Sequence, residues 1–322
     1  MNRAGPGLLL RDLKKADDPK IAAAVQVIAA LRADILVLTG FDYDLDQVAL
    51  GVFCDALAEQ GIAYPYRFST RPNTGLATGL DLDADGKLGG AGDAQGWGRF
   101  SGEGGMAVLS RLPIRSDEVR DFSSFLWRDL PGALLFDGMT EQAKAVQRLS
   151  TTGHWDVPID LPKGPPLHLL VWYATPPVFD GPEDRNGRRN HDEAAFWVAL
   201  LNGALPMPAP EPPFIVIGDG NLDPVRGDGI PEAILELQNH PALQKALSAG
   251  DLPGSPNHTN SPTADFSAKN GPGRLQVDYV LPSSDLVVAE AGVLWPVPPD
   301  PLAAVVATAS RHRPVWVDLT LP

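Results

Sequence analysis

Cysteine is almost absent from this 322-residue sequence, in which Cys54 is the only one. A single cysteine cannot close an internal disulfide bond, and it cannot supply the thiolates of a zinc cluster. Both frameworks are therefore excluded, and the redox compartment stays open. Cys54 shares a helical spacing with Val48, Val52 and Leu57, which predicts a packed position in a helix over residues 46–60.

Long apolar runs are missing as well. No stretch approaches the length of uninterrupted apolar sequence that a membrane-spanning helix needs. The opening residues, MNRAGPGLLLRD, lack the apolar core and cleavage site of a secretion signal. We therefore expect a soluble protein without a membrane span.

Positive charge is scarce relative to negative charge. The sequence has 26 Lys and Arg residues against 40 Asp and Glu residues, for a net charge of −14. Broad binding of long nucleic acid needs many cationic contacts to the phosphate backbone, so this balance argues against it. A small phosphorylated molecule needs only a local positive pocket and is the favoured partner.

Apolar runs and helical segments are interspersed along the chain. Residues 19–33 place apolar side chains on one helical face, with Pro19 suited to the first turn. Short apolar runs predict buried strands, and several end abruptly in polar residues; they cover residues 35–38, 106–109, 167–174, 214–217 and 274–281. The pattern predicts an α/β fold with its site at strand ends, and no linker marks a domain boundary.

A Gly/Asp-rich stretch at about residues 70–104 is far longer than an ordinary connection, which indicates an insertion with a role of its own. Within it, Asp81, Asp83 and Asp85 followed by Gly86 have the spacing by which a tight loop gathers carboxylates around Ca²⁺. The glutamate expected at the twelfth position is replaced by Gly92. Calcium binding is the hypothesis here, and a solvated acidic loop is the alternative.

Three arginines, Arg185, Arg188 and Arg189, lie in the polar stretch EDRNGRRNHDE ahead of an apolar helix. Guanidinium groups match phosphate geometry, so these residues are candidates for binding a substrate phosphate. The alternative is an internal network of ion pairs with the acidic residues of the same stretch.

The clearest chemical signal is Asp219 and Asn221, which follow a buried strand at alternate positions and so point the same way. Alone, this pattern is also typical of a polar turn. Further along, Asp278 stands in an otherwise apolar strand, where an unpaired carboxylate would cost several kcal/mol. His312 precedes the last strand. An aspartate that orients a histidine makes the imidazole a useful acid or base.

The order of these motifs resembles the endonuclease/exonuclease/phosphatase superfamily, with the fold of AP endonucleases and DNase I-like nucleases. The likeness covers nearly the whole chain, and its motifs are residues 33–36, 105–114, 173–177, 218–221, 277–281 and 310–315. It implies a divergent bacterial member with a four-layered α/β sandwich, in which two packed mixed β-sheets are flanked by helices. We expect a single domain over residues 1–322 and a monomer.

The resemblance also implies roles for individual residues. Asp219 is similar to the aspartate that activates the attacking water, and Asn221 to the amide that holds a phosphate oxygen. His312 resembles the imidazole beside the scissile phosphate, and Asp278 its orienting partner. Tyr173 occupies the place of a hydrogen-bond donor to the phosphate. Mg²⁺ or Mn²⁺ would act as a Lewis acid on the phosphoryl oxygen.

Three departures from the family pattern affect the expected metal site. The first strand, which ends in an asparagine, has no counterpart before Gly5, unless Met1 and Asn2 are its tail. A secretion signal upstream of this start would make the protein secreted or periplasmic. Thr39 and Gly40 replace the metal-binding glutamate.

The third departure is at residue 311, and three further residues enter the prediction because of these departures. Asp42 or Asp44, just behind Gly40, are the candidate replacements as ligands of the catalytic metal. Arg311 stands where an acidic residue is usual, and it is a candidate for binding the substrate phosphate.

The resulting prediction is a metal-dependent phosphoester hydrolase. Its substrate would be a small phosphoester, a phospholipid head group or a nucleotide, cleaved by in-line attack of water. One alternative is a catalytically impaired relative that binds a phosphorylated ligand without cleaving it, and another is a nuclease.

Overall fold

The computed structural model describes residues 1–245, 261–268 and 271–321. The helices within these ranges are α1 (Leu8–Lys15), α2 (Pro19–Leu31), α3 (Val48–Glu59), α4 (Glu141–Val146), α5 (Arg185–Leu201), α6 (Glu232–Gln238) and α7 (Leu302–Ala309). The strands are β1 (Ile35–Phe41), β2 (Tyr66–Phe68), β3 (Gly105–Ser110), β4 (Arg120–Asp121), β5 (Gly153–Ile159), β6 (Leu167–Tyr173), β7 (Phe214–Asp219), β8 (Ala264–Phe266), β9 (Gly273–Leu275), β10 (Asp278–Pro282), β11 (Val287–Val293) and β12 (Val315–Thr320). None of the helices described is long and apolar enough to cross a lipid bilayer.

Alternation along the strands explains how the layers stack. In β3, Met106 and Val108 face a core between the two sheet layers, whereas Ala107 and Leu109 face a core shared with α1, α2 and α3. On the far side, the five-stranded sheet presents residues such as Trp172 to a third core with α5 and α6. Two faces of each sheet are buried, which accounts for the nearly continuous apolar runs. The predicted four-layered α/β sandwich is confirmed.

The five-stranded sheet carries the residues of most interest. Its order is β10-β7-β6-β5-β4, and β6 and β7 are parallel whereas the other neighbours are antiparallel. Tyr173 lies beside Asp219 in the parallel register, and Asp219 lies beside Asp278 in the antiparallel one. Three polar side chains from different strands are therefore brought to one end of this sheet.

The opposing sheet layer is divided into two antiparallel pieces. One piece has the order β1-β3-β2, and the other pairs β11 with β12. Within the described residues, β1 pairs only with β3, and β12 pairs only with β11. The facing edges of β1 and β12 therefore have no strand between them.

Helix α2 begins where the sequence predicts, and α5 does not. Asp18 accepts hydrogen bonds from the backbone N–H groups of Lys20 and Ile21, which fixes the first turn of α2. Helix α5 begins at Arg185, so the polar stretch expected to be a loop forms its first turns. These turns are stable because their polar side chains find buried partners, described below.

The insertion at about residues 70–104 is packed onto the body of the protein. Asn73 is 1% exposed, and its amide donates to the carbonyls of Ser123 and Ser150 at 2.7 and 2.8 Å. A Cβ atom on Gly96 would lie 2.0 Å from the carbonyl oxygen of Thr151, so glycine is needed for this close approach. The two ends of the stretch are therefore part of the interior, whereas residues 81–90 are mostly exposed.

Candidate functional site

Asp219, Asp278 and His312 meet at the end of the five-stranded sheet. Asp219 is the last residue of β7, Asp278 is the first residue of β10, and His312 precedes β12. The Nδ1 atom of His312 lies 3.0 Å from an oxygen of Asp278 and 3.7 Å from an oxygen of Asp219. Asp219 is 2% exposed, and the other two are half-buried. Residues that are far apart in sequence thus form one cluster with an open side.

Local backbone geometry holds Asp219 in this position. A Cβ atom on Gly218 would lie 1.9 Å from the carbonyl oxygen of Trp172, so β7 can approach β6 here only with glycine. Asn221 has a φ of 49°, a left-handed conformation that asparagine tolerates better than most residues. Its backbone N–H donates to Asp219 at 2.9 Å, and its side-chain amide donates to the Ala174 carbonyl at 2.9 Å. The turn therefore fixes the carboxylate of Asp219.

The electrostatics of the cluster favour a protonated imidazole and a basic carboxylate. Burial lowers the pKa of His312, but the negative charges of Asp278 and Asp219 outweigh burial and raise its pKa above the ordinary value. Burial raises the pKa of Asp219; the His312 charge lowers it and the Asp278 charge raises it, for a net increase. The cluster therefore favours the protonated form of the imidazole, and its buried Asp219 takes up a proton more readily than an ordinary aspartate does.

Tyr173 and Arg311 border the cluster. Burial raises the pKa of Tyr173, as do the charges of Asp219 and Asp278, so the phenol stays protonated and able to donate. The guanidinium of Arg311 lies over the ring of Phe266 at 5.2 Å. Its charge acts on the site, because it lowers the pKa of both Tyr173 and His312.

A buried polar layer on α5 supports the two strand ends, and sequence reasoning missed it. The side-chain amide of Asn190 donates to the carbonyls of Thr175 and Gly220 at 2.6 and 2.8 Å, which ties the chain after β6 to the chain after β7. Glu193 is fully buried and accepts the N–H groups of Thr151 and Thr175. Burial raises the pKa of Glu193 to about 7. The sequence signal for this layer is the helical spacing of Asn190 and Glu193 within the polar stretch. The three arginines of that stretch drew attention to phosphate binding instead.

His154 belongs to the same layer. Its ring lies 2.6 Å from the Ser150 hydroxyl and 2.9 Å from the Glu193 carbonyl, and it is fully buried among aromatic side chains. Burial lowers its pKa to about 4, so the ring is neutral over the physiological range. This histidine has a structural position away from the open side of the cluster.

The three arginines of the polar stretch bond mainly to backbone carbonyls. Arg189 is 5% exposed and donates to the carbonyls of residues 148–150. Arg185 donates to the Leu82 carbonyl and to the Gln147 side chain, and Arg188 donates to the Glu183 carbonyl. The alternative of an internal network of ion pairs with the neighbouring acidic residues is therefore replaced by contacts that are mainly to carbonyls. Because Arg189 is buried, it is not available to a substrate phosphate.

Asp42 and Asp44, proposed from the sequence as metal ligands, lie outside the cluster of Asp219, Asp278 and His312. Asp42 accepts the backbone N–H groups of Arg3 and Gly104 at 2.8 and 2.9 Å. Asp44 accepts the N–H groups that begin α3. Both carboxylates thus anchor backbone, because their oxygens meet N–H groups that would otherwise be unsatisfied.

The acidic loop of the insertion brings its three carboxylates together. Ligand atoms of Asp81, Asp83 and Asp85 lie within 4.8 Å of one another, and all three residues are exposed. Gly92 packs against this loop, since a Cβ atom there would lie 2.1 Å from a side-chain oxygen of Asp83. Calcium binding here stays a prediction.

The donor atoms at the main cluster suit a divalent cation. Those of Asp219, Asp278 and His312 lie within 4.8 Å of one another. Two carboxylates match the oxygen preference of Mg²⁺ and Mn²⁺, and an imidazole nitrogen suits Mn²⁺ better than Mg²⁺. The Nδ1 atom of His312 faces the same carboxylates, so an ion bound by all three residues would replace the imidazolium proton.

Comparison with known proteins agrees with this description. The chain matches the sequence model of the Endonuclease/Exonuclease/phosphatase family over residues 9–312. No curated protein matches it. It is similar to the solved endonuclease/exonuclease/phosphatase from Beutenbergia cavernae, with 17% identity and a TM-score of 0.58 over 95% of this chain and 66% of that chain. A family protein from Leptotrichia buccalis gives 15% identity and a TM-score of 0.54 over 96% and 94% of the two chains. These similarities show a shared fold.

Proposed function

Because this chain belongs to the endonuclease/exonuclease/phosphatase family, we propose that it is a metal-dependent phosphoester hydrolase. The observation that carries the proposal is the convergence of Asp219, Asp278 and His312 at one open end of a sheet. The proposed substrate class is a small phosphoester, a phospholipid head group or a nucleotide.

Asp219 is proposed as the base that activates water. A carboxylate whose pKa is raised by burial takes a proton more readily near neutral pH than an ordinary one does. Water attacks phosphorus in line with the ester oxygen, so a new O–P bond forms as the ester P–O bond breaks. The proton of the water passes to Asp219, and the leaving oxygen takes a proton from solvent.

His312, Asn221 and Tyr173 are proposed to hold the phosphate. The Nδ1 atom of His312 is directed to Asp278, so the Nε2–H group of the ring is free to donate to a phosphate oxygen, whether Nδ1 carries a proton or faces a metal ion. Asn221 lies in the turn directly after Asp219, and Tyr173 lies beside Asp219 in the register of β6 and β7. Charged and neutral donors thus approach the substrate from several strands.

Mn²⁺ or Mg²⁺ is proposed as the cofactor, held by Asp219 and Asp278 and, for Mn²⁺, also by His312. Such an ion would neutralise charge on the phosphoryl group and the leaving oxygen. The chain's own contribution is to fix these donors: the turn at Asn221 orients Asp219, and Asp278 orients His312.

A small substrate is proposed because positive charge at the site is local. Arg311, next to His312, supplies a guanidinium whose position is set by the ring of Phe266. The chain as a whole carries a net charge of −14, which opposes long polyanions. Arg311 is proposed to favour a doubly charged phosphate group.

The test is hydrolysis of bis-p-nitrophenyl phosphate and p-nitrophenyl phosphate with Mg²⁺, Mn²⁺ or Ca²⁺. We expect Asp219→Asn and His312→Gln to lower the rate by at least about 100-fold, the usual contribution of a positioned acid or base. The matched control is Asp55→Asn, which changes the same group on the exposed surface of α3 and should keep the full rate. Equal rates in all of these proteins would remove the cluster from the mechanism.

Binding without turnover is the second candidate function. It is favoured by Thr39 and Gly40, which stand where the family resemblance places a metal-binding glutamate, and the Gly40 carbonyl is already bonded to the Met1 amine. In that case calorimetry would detect inorganic phosphate binding that Asp219→Asn or His312→Gln alters, while no nitrophenol is released. Nicking of supercoiled DNA would instead support the nuclease alternative.

A further inference from the structure

Asp278 and His312 belong to parts of the fold that are not joined by strand pairing. Asp278 begins β10 in the five-stranded sheet, whereas His312 precedes β12, which among the described residues pairs only with β11. The separation of 3.0 Å between the Nδ1 atom of His312 and an oxygen of Asp278 therefore needs another support. A short segment over residues 263–266, which includes β8, contacts both sides.

Thr263 holds the backbone on the Asp278 side. Thr263 is fully buried, and its hydroxyl oxygen accepts the backbone N–H groups of Val277 and Asp278, both at 2.9 Å. Its own N–H donates to the carbonyl of Leu275 at 2.8 Å. These contacts lie where the chain passes from β9 into β10. The hydroxyl of Thr263 therefore fixes the point at which β10 begins, and with it the position of Asp278.

The same segment holds the backbone on the His312 side. The Thr263 carbonyl accepts the N–H of Arg313 at 2.6 Å. The N–H of Asp265 donates to the carbonyl of Arg311 at 2.9 Å. These two bonds flank an antiparallel bridge between β8 and His312. The backbone of His312 is thus fixed on both of its sides along the chain, by bonds that begin at Thr263.

Phe266, the last residue of β8, restricts the imidazole ring as well. The rings of Phe266 and His312 meet edge to face, with their centroids 5.5 Å apart and their planes at 83°. The bonded backbone and this ring contact together leave the imidazole little freedom to follow a carboxylate that moves. The bond between His312 and Asp278 therefore depends on where Asp278 is held, which is the contribution of the Thr263 hydroxyl.

We propose that Thr263 is a positioning residue, in an inference that rests on the proposed hydrolysis: its hydroxyl keeps the carboxylate of Asp278 against the Nδ1 atom of His312. Because Thr263 is fully buried, it acts through these two residues and does not touch the substrate. Without the hydroxyl, two N–H groups lose their acceptor, so the backbone at the start of β10 has to move. His312 then loses its fixed direction towards the phosphate.

The test compares Thr263→Val, which removes the hydroxyl, with Thr263→Ser, which keeps it. The matched control is Thr74→Val, which also removes a buried hydroxyl, in this case one that donates to the Glu103 carbonyl in the insertion. The kcat for bis-p-nitrophenyl phosphate is measured with saturating Mn²⁺, at a temperature where circular dichroism shows that each protein is folded.

A second readout does not depend on hydrolysis. Proton NMR in the presence of EDTA records the Nδ1–H signal of His312, which a hydrogen bond to a carboxylate moves far downfield. The signal is assigned by its loss in His312→Gln. If Thr263→Val does not fold, Thr263→Cys takes its place in both measurements, because a thiol is a weaker acceptor than a hydroxyl.

We expect Thr263→Val to lower kcat by about 10–100-fold, whereas Thr263→Ser and Thr74→Val stay within about threefold of the original chain. The downfield Nδ1–H signal should be shifted or lost in Thr263→Val and kept in the other two variants. Equal kcat values for Thr263→Val and Thr74→Val, no rescue by serine, or an unchanged signal in Thr263→Val would each overturn the proposal. If the original chain cleaves no ester, the proposed function fails, and the NMR signal alone decides the role of Thr263.

Discussion

Replacing Asp278 with asparagine should lower the pKa of His312, because the structure makes Asp278 the larger of its two anionic supports. The Nδ1 atom is 3.0 Å from Asp278 and 3.7 Å from Asp219, and attraction between charges weakens with distance. A carboxylate in contact typically shifts a pKa by about 1–3 units. With Asp219 still present, we expect a fall of about 1–2 units, which corresponds to roughly 1.4–2.7 kcal/mol of lost stabilisation of the imidazolium.

The assay is a titration of the His312 Cε1 signal by NMR in the presence of EDTA, with the signal assigned by its loss in His312→Gln. The matched control is Asp265→Asn, which removes the same charge from a carboxylate that contacts Arg274 instead. We expect that control to move the His312 pKa by less than about 0.3 units. An equal shift in the two variants, or none in Asp278→Asn, would refute the assignment of Asp278 as the orienting partner.

The same shift has a consequence for stability. A histidine whose folded-state pKa is raised stabilises the fold fully below its unfolded pKa, and this contribution is lost as pH rises through the folded-state pKa. In Asp278→Asn the loss should therefore occur at lower pH than in the original chain. Urea unfolding between pH 6 and 10 would show the displacement.

Other expectations concern the interior and the metal. Burial lowers the pKa of His154 to about 4, so the contribution of the neutral ring to stability is complete above about pH 6.5 and is lost as pH falls. In urea unfolding, the original chain should lose about 3 kcal/mol of stability relative to His154→Gln between pH 7 and pH 4. A difference in stability between the two proteins that stays constant over this range would contradict the prediction. Asn73→Ala should lower the free energy of unfolding by about 1–3 kcal/mol, because it leaves the buried Ser123 carbonyl without its donor and removes one of the two donors to the Ser150 carbonyl. A loss below about 0.5 kcal/mol in denaturant titration would count against the packing of this part of the insertion onto the core. The affinity for Mn²⁺ measured by calorimetry should rise by up to about tenfold per pH unit between pH 6 and 7.5, because the ion displaces a proton from the Nδ1 atom of His312. An affinity independent of pH would exclude this Nδ1 atom as a ligand.

The strands that hold the site could be predicted from the sequence because both of their faces are buried. The apolar run before Gly218 is continuous, and it stops where the chain must approach Trp172 too closely for any side chain. Helix α5 could not be delimited in this way. Asn190 and Glu193 look like loop residues in the sequence, and the carbonyls and N–H groups that satisfy them belong to segments distant along the chain.

The composition of the cluster could be predicted, but its geometry could not. Asp219, Asp278 and His312 were identified from polar residues at strand ends and from a family resemblance. Their separations depend on how β7, β10 and the chain before β12 pack, which no local pattern encodes. Asp42 and Asp44 were candidate ligands because they follow Gly40 closely in the sequence. In the structure their oxygens accept backbone N–H groups, a use that sequence position alone does not reveal.

The buried position of Asn73 means that the loop containing it is not interchangeable with a loop from another protein. Its amide donates to the Ser150 carbonyl, the Ser150 hydroxyl lies beside the His154 ring, and that ring lies beside the Glu193 carbonyl. The Glu193 side chain in turn accepts the backbone N–H of Thr175, just after the end of β6. Grafting or trimming this loop would thus disturb a chain of contacts that runs from the insertion to the strand ends beside Asp219. Because Arg311 lies outside these contacts, its surroundings can be varied without touching this loop.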